Sequence, residues 1–471
     1  MTEISTLYTD VRESAVPIET VSKNQFEAWL AAQSGLKAAW ITSAGFEGEA
    51  GKVCLIPGED GGLAGVAAGV PDNSGMWDLG SLREKLPAGD YRLQSAENSE
   101  ASAHDRVAFG EDVALAWGLG AYRFNRYKGD TKPDSGTRLT WPEGCRAERI
   151  VNWVESITLT RDLINTPAGD MGPAEMAAAA SAMAEKHGAE ISLITGDELL
   201  EANYPSVYAV GRASDNPPCL IDITWGEPDH PKVSLVGKGV CFDTGGLDIK
   251  SADGMKLMKK DMGGGANMLG LGNMIMASNV PVRLRVLVPA VENAISGNAL
   301  YPLDVITSRS GKTIEIGNTD AEGRVILADV LYEAGGEDPA LLIDFATLTG
   351  AARVALGPDL PGFFCNDDIL ATELIAAAKV ADDPLWRLPL WQPYRKLVDG
   401  ATADLTNAPE GRFGGAITAA LFLQEFIGDT KSWAHVDLMG WNTTDKPGRP
   451  KGGEAMGIRA VFNVIEDRFD S

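Results

Sequence analysis

At 471 residues, with 44% hydrophobic and 23% charged, the chain is too long for one ordinary core and too apolar for disorder, so two globular domains are expected. The 41 Lys+Arg against 66 Asp+Glu leave a net charge of −25, which argues against phosphate backbones and anionic lipid as partners. Cys54, Cys145, Cys219, Cys241 and Cys365 form no CxxC pair, so neither a thiolate zinc site nor a disulfide framework is expected.

The opening MTEISTLYTDVRESAV has no basic start followed by an apolar run. No later stretch stays apolar for the ~18 residues a spanning helix needs, so a soluble cytoplasmic protein is expected. Residues 1–130 mix short apolar runs (38–42, 51–56, 63–68) with Gly/Asp/Pro turns and a helix-like segment at 25–32, as in a small α/β domain. His104 stands alone there and reads as a surface or core histidine. The Gly- and Pro-rich 129–144 reads as an exposed crossing, within a linker and connecting helix over 131–167. Ile150, Trp153, Val154, Ile157 and Ile164 give that helix one apolar face, and Pro167 marks its end. Pro173 followed by the Ala-rich 174–186 predicts another helix.

From 168 to 471 strands and helices alternate. Strands are predicted at 189–194, 220–224, 232–236, 283–288, 340–345 and 432–438, and helices at 265–277, 324–333, 369–378 and 416–426. Several of the strands are apolar throughout, as strands covered on both faces must be.

Three glycine-flanked clusters of charge organise this half: GKGVCFDTGGLDIK (237–250), MKLMKKDMGGGA (255–266) and NTDAEGR (318–324). Gathering Lys238, Asp243, Lys250, Asp261, Asp320, Glu322 and Arg324 in an apolar interior is costly unless they neutralise one another or a bound cation does. The first cluster follows the strand at 232–236 and the third precedes the helix at 324–333, where open α/β sheets bind ligands. Four carboxylates with no nearby histidine suit Mg, Mn or Zn held by oxygen, and His104, His187, His230 and His435 form no HExxH. Four also exceed what one catalytic metal with an open position needs, which favours a bridged pair of ions. Lys238 then reads as a neutral amine ligand, with Lys250 or Arg324 stabilising charge on a substrate oxygen.

Plainer readings stand beside these. Taken singly, each lysine or aspartate of the first two clusters reads as a solvated ion pair, and the glycine runs as turns or tight helix contacts. GKT at 311–313 lacks the earlier glycine of a phosphate loop and reads as a hairpin turn. The methionines at 255–276 read as core, with Met258 placed to line an apolar pocket. His435 reads as a core histidine and Cys241 as a packed thiol.

Together the clusters resemble the leucyl aminopeptidases, dinuclear metallopeptidases whose signature NTDAEGR is unbroken here. The resemblance extends to GKGVCFDTGGLDIK, the Lys250-to-Asp261 step, ATLTGA at 346–351, DLTN at 404–407, GGAITAA at 414–420 and HVDLMGW at 435–441. It covers about residues 146–471. It implies two divalent ions per subunit, Mn or Zn, with Mg an option at the exchangeable site. Lys238, Asp243, Asp261 and Glu322 would hold the tighter ion, and Asp243, Asp320 and Glu322 the exchangeable one.

By the same resemblance Lys250 and Arg324 are the catalytic residues that bind no metal, Arg324 holding a bicarbonate that acts as base. Lys250, Asp261, Met258, Thr347, Leu348, Gly350 and Ala455 would bind substrate. Cys241 and Thr244 depart from the usual Thr and Ser, and GGGAN at 263–267 from a GGAA-like run, without removing a ligand.

The expected fold is α/β in two domains, a small N-terminal α/β domain and a larger α/β/α catalytic domain with a mixed, largely parallel sheet. The expected activity is release of N-terminal Leu- or Met-like residues from peptides with a free N-terminus, by a homohexamer. The alternatives are a DNA-binding or regulatory hexamer with a vestigial site, against which the acidic charge argues, and a dinuclear-metal phosphoesterase, which would commonly add histidines.

Overall fold

A computed structural model describes residues 4–10, 13–73, 75–94, 103–129, 135–411 and 413–470, and within the helix Ala103–Gly120 the side chains from residue 107 onward. The side chain of His104 lies outside them. The chain divides into two compact units, residues 1–158 with 444–451 and residues 159–443 with 452–471. The passage from one to the other falls within the helix Ala147–Asn165.

The first unit carries a six-stranded sheet ordered Tyr8–Thr9, Thr137–Thr140, Gly89–Leu93, Val16–Ser22, Leu63–Val70, Val53–Pro57. All pairs are parallel except the last, a hairpin closed by the turn Gly58–Gly62. The apolar runs at 51–56 and 63–68 supply its strands, whereas 38–42 lies in the helix Gly35–Ser43. One expectation is corrected here. Thr137–Thr140, inside the stretch read as an exposed crossing, is an interior strand with Leu139 fully buried. Composition misled because the Gly and Pro flank the strand and do not interrupt it.

The second unit is built on a nine-stranded mixed sheet. Its order is Trp386–Arg387, Gly362–Cys365, Trp433–Asp437, Leu341–Ala346, Lys232–Gly237, Arg283–Asn293, Cys219–Trp225, Glu190–Thr195. The four central strands, Trp433–Asp437 through Arg283–Asn293, run parallel, and antiparallel pairs lie toward both edges. Lys232–Gly237 and Leu341–Ala346 are buried almost throughout, which explains their continuous apolar sequence. All six predicted strands occur, with ends displaced by a few residues. The predicted helices occur as Gly263–Ala277, Glu322–Gly336, Asp368–Val380 and Gly415–Gln424.

Gly263–Ala277 is buried along nearly its whole length, and its opening glycines are the reason it can lie so close to the sheet. A Cβ on Gly264 would stand 2.1 Å from the carbonyl oxygen of Phe345, and one on Gly237 would stand 2.6 Å from the Cα of Gly265. No side chain fits either place. The GGG run therefore brings Asp261, two residues before the helix, against the ends of the central strands.

A further strand, Gly239–Asp243, pairs in parallel with the end of Arg283–Asn293. The sequence reading placed this segment in a loop. Its flanking glycines serve close approach: a Cβ on Gly239 would meet the Pro289 carbonyl oxygen at 2.7 Å. The consequence is that Asp243 sits at a strand end, held by pairing with Asn293. GKT at 311–313 lies in the hairpin between Val305–Thr307 and Thr313–Glu315, as its composition suggested.

Candidate metal centre

Three loops at the carboxyl ends of the central strands bring the charged clusters together. Lys238 leaves the end of Lys232–Gly237, Asp243 ends its own strand, and Thr347–Gly350 follows Leu341–Ala346. Asp320 and Glu322 enter from the 3-10 turn Thr319–Ala321 and the first turn of the helix Glu322–Gly336. The Asn318 side chain accepts from the Asp320 N–H at 2.8 Å and shapes that turn. The loop at 244–250 is tied to it by the Thr319 N–H donating to Asp248 at 2.8 Å and by Thr319 Oγ1 donating to the Gly245 carbonyl at 2.6 Å.

The charged groups interlock around two lysines. Lys238 Nζ lies 2.7 Å from Asp261 Oδ2 and 2.9 Å from Glu322 Oε1, all three side chains being almost wholly buried. Lys250 Nζ lies 2.7 Å from Asp243 Oδ2 and also pairs with Asp320. Thr347 Oγ1 donates to Asp261 Oδ1 at 2.8 Å. Space for Lys238 depends on Gly323, where a Cβ would stand 2.7 Å from the ammonium.

Oxygens of Asp243, Asp320 and Glu322 lie within 4.8 Å of one another. Only two ammonium groups, Lys238 and Lys250, make close ion pairs with these four carboxylates, Lys260 standing 4.0 Å from Asp261, so Asp243, Asp320 and Glu322 are short of nearby positive charge. Burial, with Asp243 beside it, pushes the Glu322 carboxyl up to about 7, and burial likewise raises Asp243 and Asp320. Burial opposes the Asp261 carboxylate too, but Lys238 and Lys260 hold it below the usual carboxylate range. Burial also opposes the Lys238 ammonium, yet Asp261, Glu322 and Asp243 together hold it above the ordinary lysine range. Such a donor set, rich in oxygen, crowded and undercharged, fits divalent cations.

Arg324 is buried beside this group. Its Nη1 donates to the Asn407 carbonyl at 2.6 Å, while its Nε has no partner, and burial lowers its pKa to about 10. Met258 is nearly buried, Leu348 and Ala455 are partly buried, and Gly350 is exposed at the start of the helix Gly350–Leu356. The Leu348 N–H donates to Asp437, and the Ala455 N–H to Glu454.

Several site groups escaped the sequence reading. Asn293 Nδ2 donates to Asp243 Oδ1 at 2.8 Å and to the Thr319 carbonyl at 3.1 Å, fixing one carboxylate and one turn. Asn407 closes the other side, its Nδ2 donating to the Asn318 carbonyl at 2.8 Å. Asp437 accepts from the Thr349 hydroxyl at 2.6 Å. Lys260, one residue before Asp261, is 1% exposed and its Nζ has no hydrogen-bond partner. Burial pushes its ammonium down to about 8. The doubled lysine in MKLMKKD gives no local sign of that burial, which comes from packing around the turn Met258–Lys260. His435 is a core histidine as read, with Nδ1 bound to Asp344 at 2.6 Å and Nε2 without a partner.

Comparison with known proteins places this geometry. The profile of the Cytosol aminopeptidase family, catalytic domain, matches residues 158–462, and that of the M17 aminopeptidase N-terminal domain matches residues 16–142. A probable cytosol aminopeptidase of Roseiflexus castenholzii is 42% identical over 365 residues, 74% of each chain. The crystal structure of cytosol aminopeptidase from Coxiella burnetii superposes with a TM-score of 0.93 at 50% identity, covering 99% of this chain and 100% of that one. The manganese complex of the bottromycin maturation enzyme BotP superposes with a TM-score of 0.86 at 32% identity, covering 96% and 99%.

Proposed function

We propose, for a chain that belongs to the cytosol aminopeptidase family and is a metal-dependent aminopeptidase, that two divalent ions are held by Lys238, Asp243, Asp261, Asp320 and Glu322. The observation that carries this is the convergence of four carboxylates on two lysines in a buried, undercharged cluster. Mn or Zn suits these donors, and the manganese complex of BotP supports Mn. Bound there, such ions would supply an activated water and polarise the scissile carbonyl.

The protein's own groups do the rest. Asp261 pairs with the free α-amine of the peptide, which sets the scissile bond one residue away and makes the enzyme an exopeptidase. Lys250 turns its ammonium to the oxygen on which charge develops. Arg324, with Nε unpartnered, holds an anion such as bicarbonate that takes and returns the proton. As a metal ligand Lys238 would hold an ion through a neutral amine, without its proton. Met258, Thr347, Leu348, Gly350 and Ala455 surround the first side chain, and Met258 and Leu348 support acceptance of Leu and Met.

We propose further that the chain works in the cytoplasm as a homohexamer. No helix among the described residues is long and apolar enough to cross a membrane.

The test compares a leucine anilide with its N-acetylated form, before and after chelation and Mn or Zn restoration. The free-amine substrate alone is cleaved, and only with metal. Equal cleavage of the blocked substrate refutes anchoring by the amine.

A further inference from the structure

Two cations beside the metal centre lack an acceptor. Lys259 and Lys260 are neighbours, yet Lys259 Nζ reaches the Asn165 carbonyl while Lys260 Nζ, 1% exposed, has no hydrogen bond. Its nearest carboxylate oxygen, Asp261 Oδ1, is 4.0 Å away and already receives the Thr347 hydroxyl. Arg353, on the helix that begins at Gly350, is close enough for its charge to act on Lys260. Its Nη1 is likewise buried without a partner, and its Nη2 lies 3.7 Å from where a Gly350 Cβ would stand. Asp437 also acts on Lys260, but its oxygens are occupied by the Leu348 and Thr349 N–H groups and the Thr349 hydroxyl.

The location gives these cations a use. Arg353 lies one turn into the helix that continues the loop of Thr347, Leu348 and Gly350, and Lys260 adjoins Asp261, which Thr347 of that loop holds. If Asp261 anchors the α-amine, the first side chain of a bound peptide extends from the Asp261 end of that wall. Leaving two cations unsatisfied in a partly dry site is costly, and a carboxylate arriving with the substrate removes that cost. Arg353, partly open to solvent, meets it first with a planar fork of donors, and Lys260 follows on its flexible four-carbon stem.

We propose that Lys260 and Arg353 form an anion-accepting wall of the first side-chain subsite, so that this enzyme releases N-terminal Glu and Asp as well as apolar residues. The inference rests on the substrate placement proposed above. It adds to the apolar reading of Met258 and Leu348, because the same subsite has an apolar and a cationic side.

The experiment uses the metal-loaded full-length protein, with Lys260→Met and Arg353→Met as variants. Glutamyl, glutaminyl and leucyl amides with one leaving group are compared, and binding of free L-glutamate and L-leucine is measured by calorimetry. The expected result is glutamyl kcat/KM within about tenfold of leucyl in the unaltered enzyme. Each variant then lowers the Glu/Leu ratio by at least about tenfold, chiefly through KM, the loss of one charge-assisted hydrogen bond. The Gln/Leu ratio falls less.

A Glu/Leu ratio unmoved by both variants overturns the proposal and makes Lys260 a structural counter-charge of Asp261. So does poor glutamyl cleavage by the unaltered enzyme, together with weak glutamate binding. Should no amide be cleaved, the peptidase mechanism fails separately, and glutamate affinity still decides whether the cationic wall exists. Arg353 is partly exposed, so its variant keeps the test open if Lys260→Met does not fold.

Discussion

Lys238 Nζ stands 2.7 Å from Asp261 Oδ2, a buried ion pair joining the end of a central strand to the approach of a helix buried along nearly its whole length. The pair sits between Glu322, Asp243 and Thr347, so its charge state governs the whole centre. In metal-free protein the ammonium is the counter-ion for Asp261 and Glu322. In the loaded enzyme the same nitrogen is proposed to be a ligand.

Lys238→Met removes that counter-ion while keeping the stem's bulk. Breaking one side of a buried pair destabilises by about 3–5 kcal/mol. Urea denaturation of the metal-free protein should show a loss of that size, and the variant should retain less metal after dialysis. An unchanged midpoint and unchanged metal content would show the lysine to be incidental.

Lys250→Ala separates chemistry from metal holding. If Lys250 stabilises the charged oxygen, turnover falls by about 10²–10³-fold, the size seen for loss of a single oxyanion donor. Metal content by mass spectrometry stays near that of the unaltered enzyme. Loss of metal in proportion to loss of turnover would move Lys250 from the substrate to the ligand frame.

The raised carboxyl of Glu322 fixes a pH dependence for metal-free protein. Its folded pKa of about 7 lies above the ordinary 4.5, so folding favours the protonated form. The stabilisation from this group is full below about 4.5 and is lost as pH rises through about 7. Thermal melts in chelator should therefore fall over that window, the residue being driven to ionise beside Asp243. Added Mn should reverse the trend, since metal binding gains affinity as the carboxyl sheds its proton. Parallel pH profiles with and without metal would contradict it.

Gly264→Ala tests the close approach of helix to sheet. The new Cβ would meet the Phe345 carbonyl oxygen at 2.1 Å, and backbone atoms on both sides must move. A loss of about 1–3 kcal/mol is expected, with lower metal affinity because Asp261 shifts with the helix start. Gly297→Ala, where a Cβ meets nothing within 4 Å, is the control.

Much of the second domain was readable because its central strands are buried on both faces and so carry apolar runs bounded by turns. The short strands Gly239–Asp243 and Gly362–Cys365 were not, since glycine at each start imitates a loop. The 18-residue helix Ala103–Gly120 also went unread, having small and apolar residues around most of its circumference and hence no distinct face.

The chain by itself determined the kind of chemistry. Carboxylates, lysines and an arginine set among glycines, in a segment otherwise apolar, announce a centre that must be neutralised by something bound, and NTDAEGR ties that segment to a known family. Tertiary structure alone decided who stands behind those residues. Asn293 reaches Asp243 across 50 positions, Asn407 reaches Arg324 across 83, and Asp437 reaches Thr349 across 88. Lys260 was visible as a lysine but not as a buried one. Such partnerships depend on which strands lie side by side, and strand order is set by the summed burial of the whole sheet, which no local pattern records.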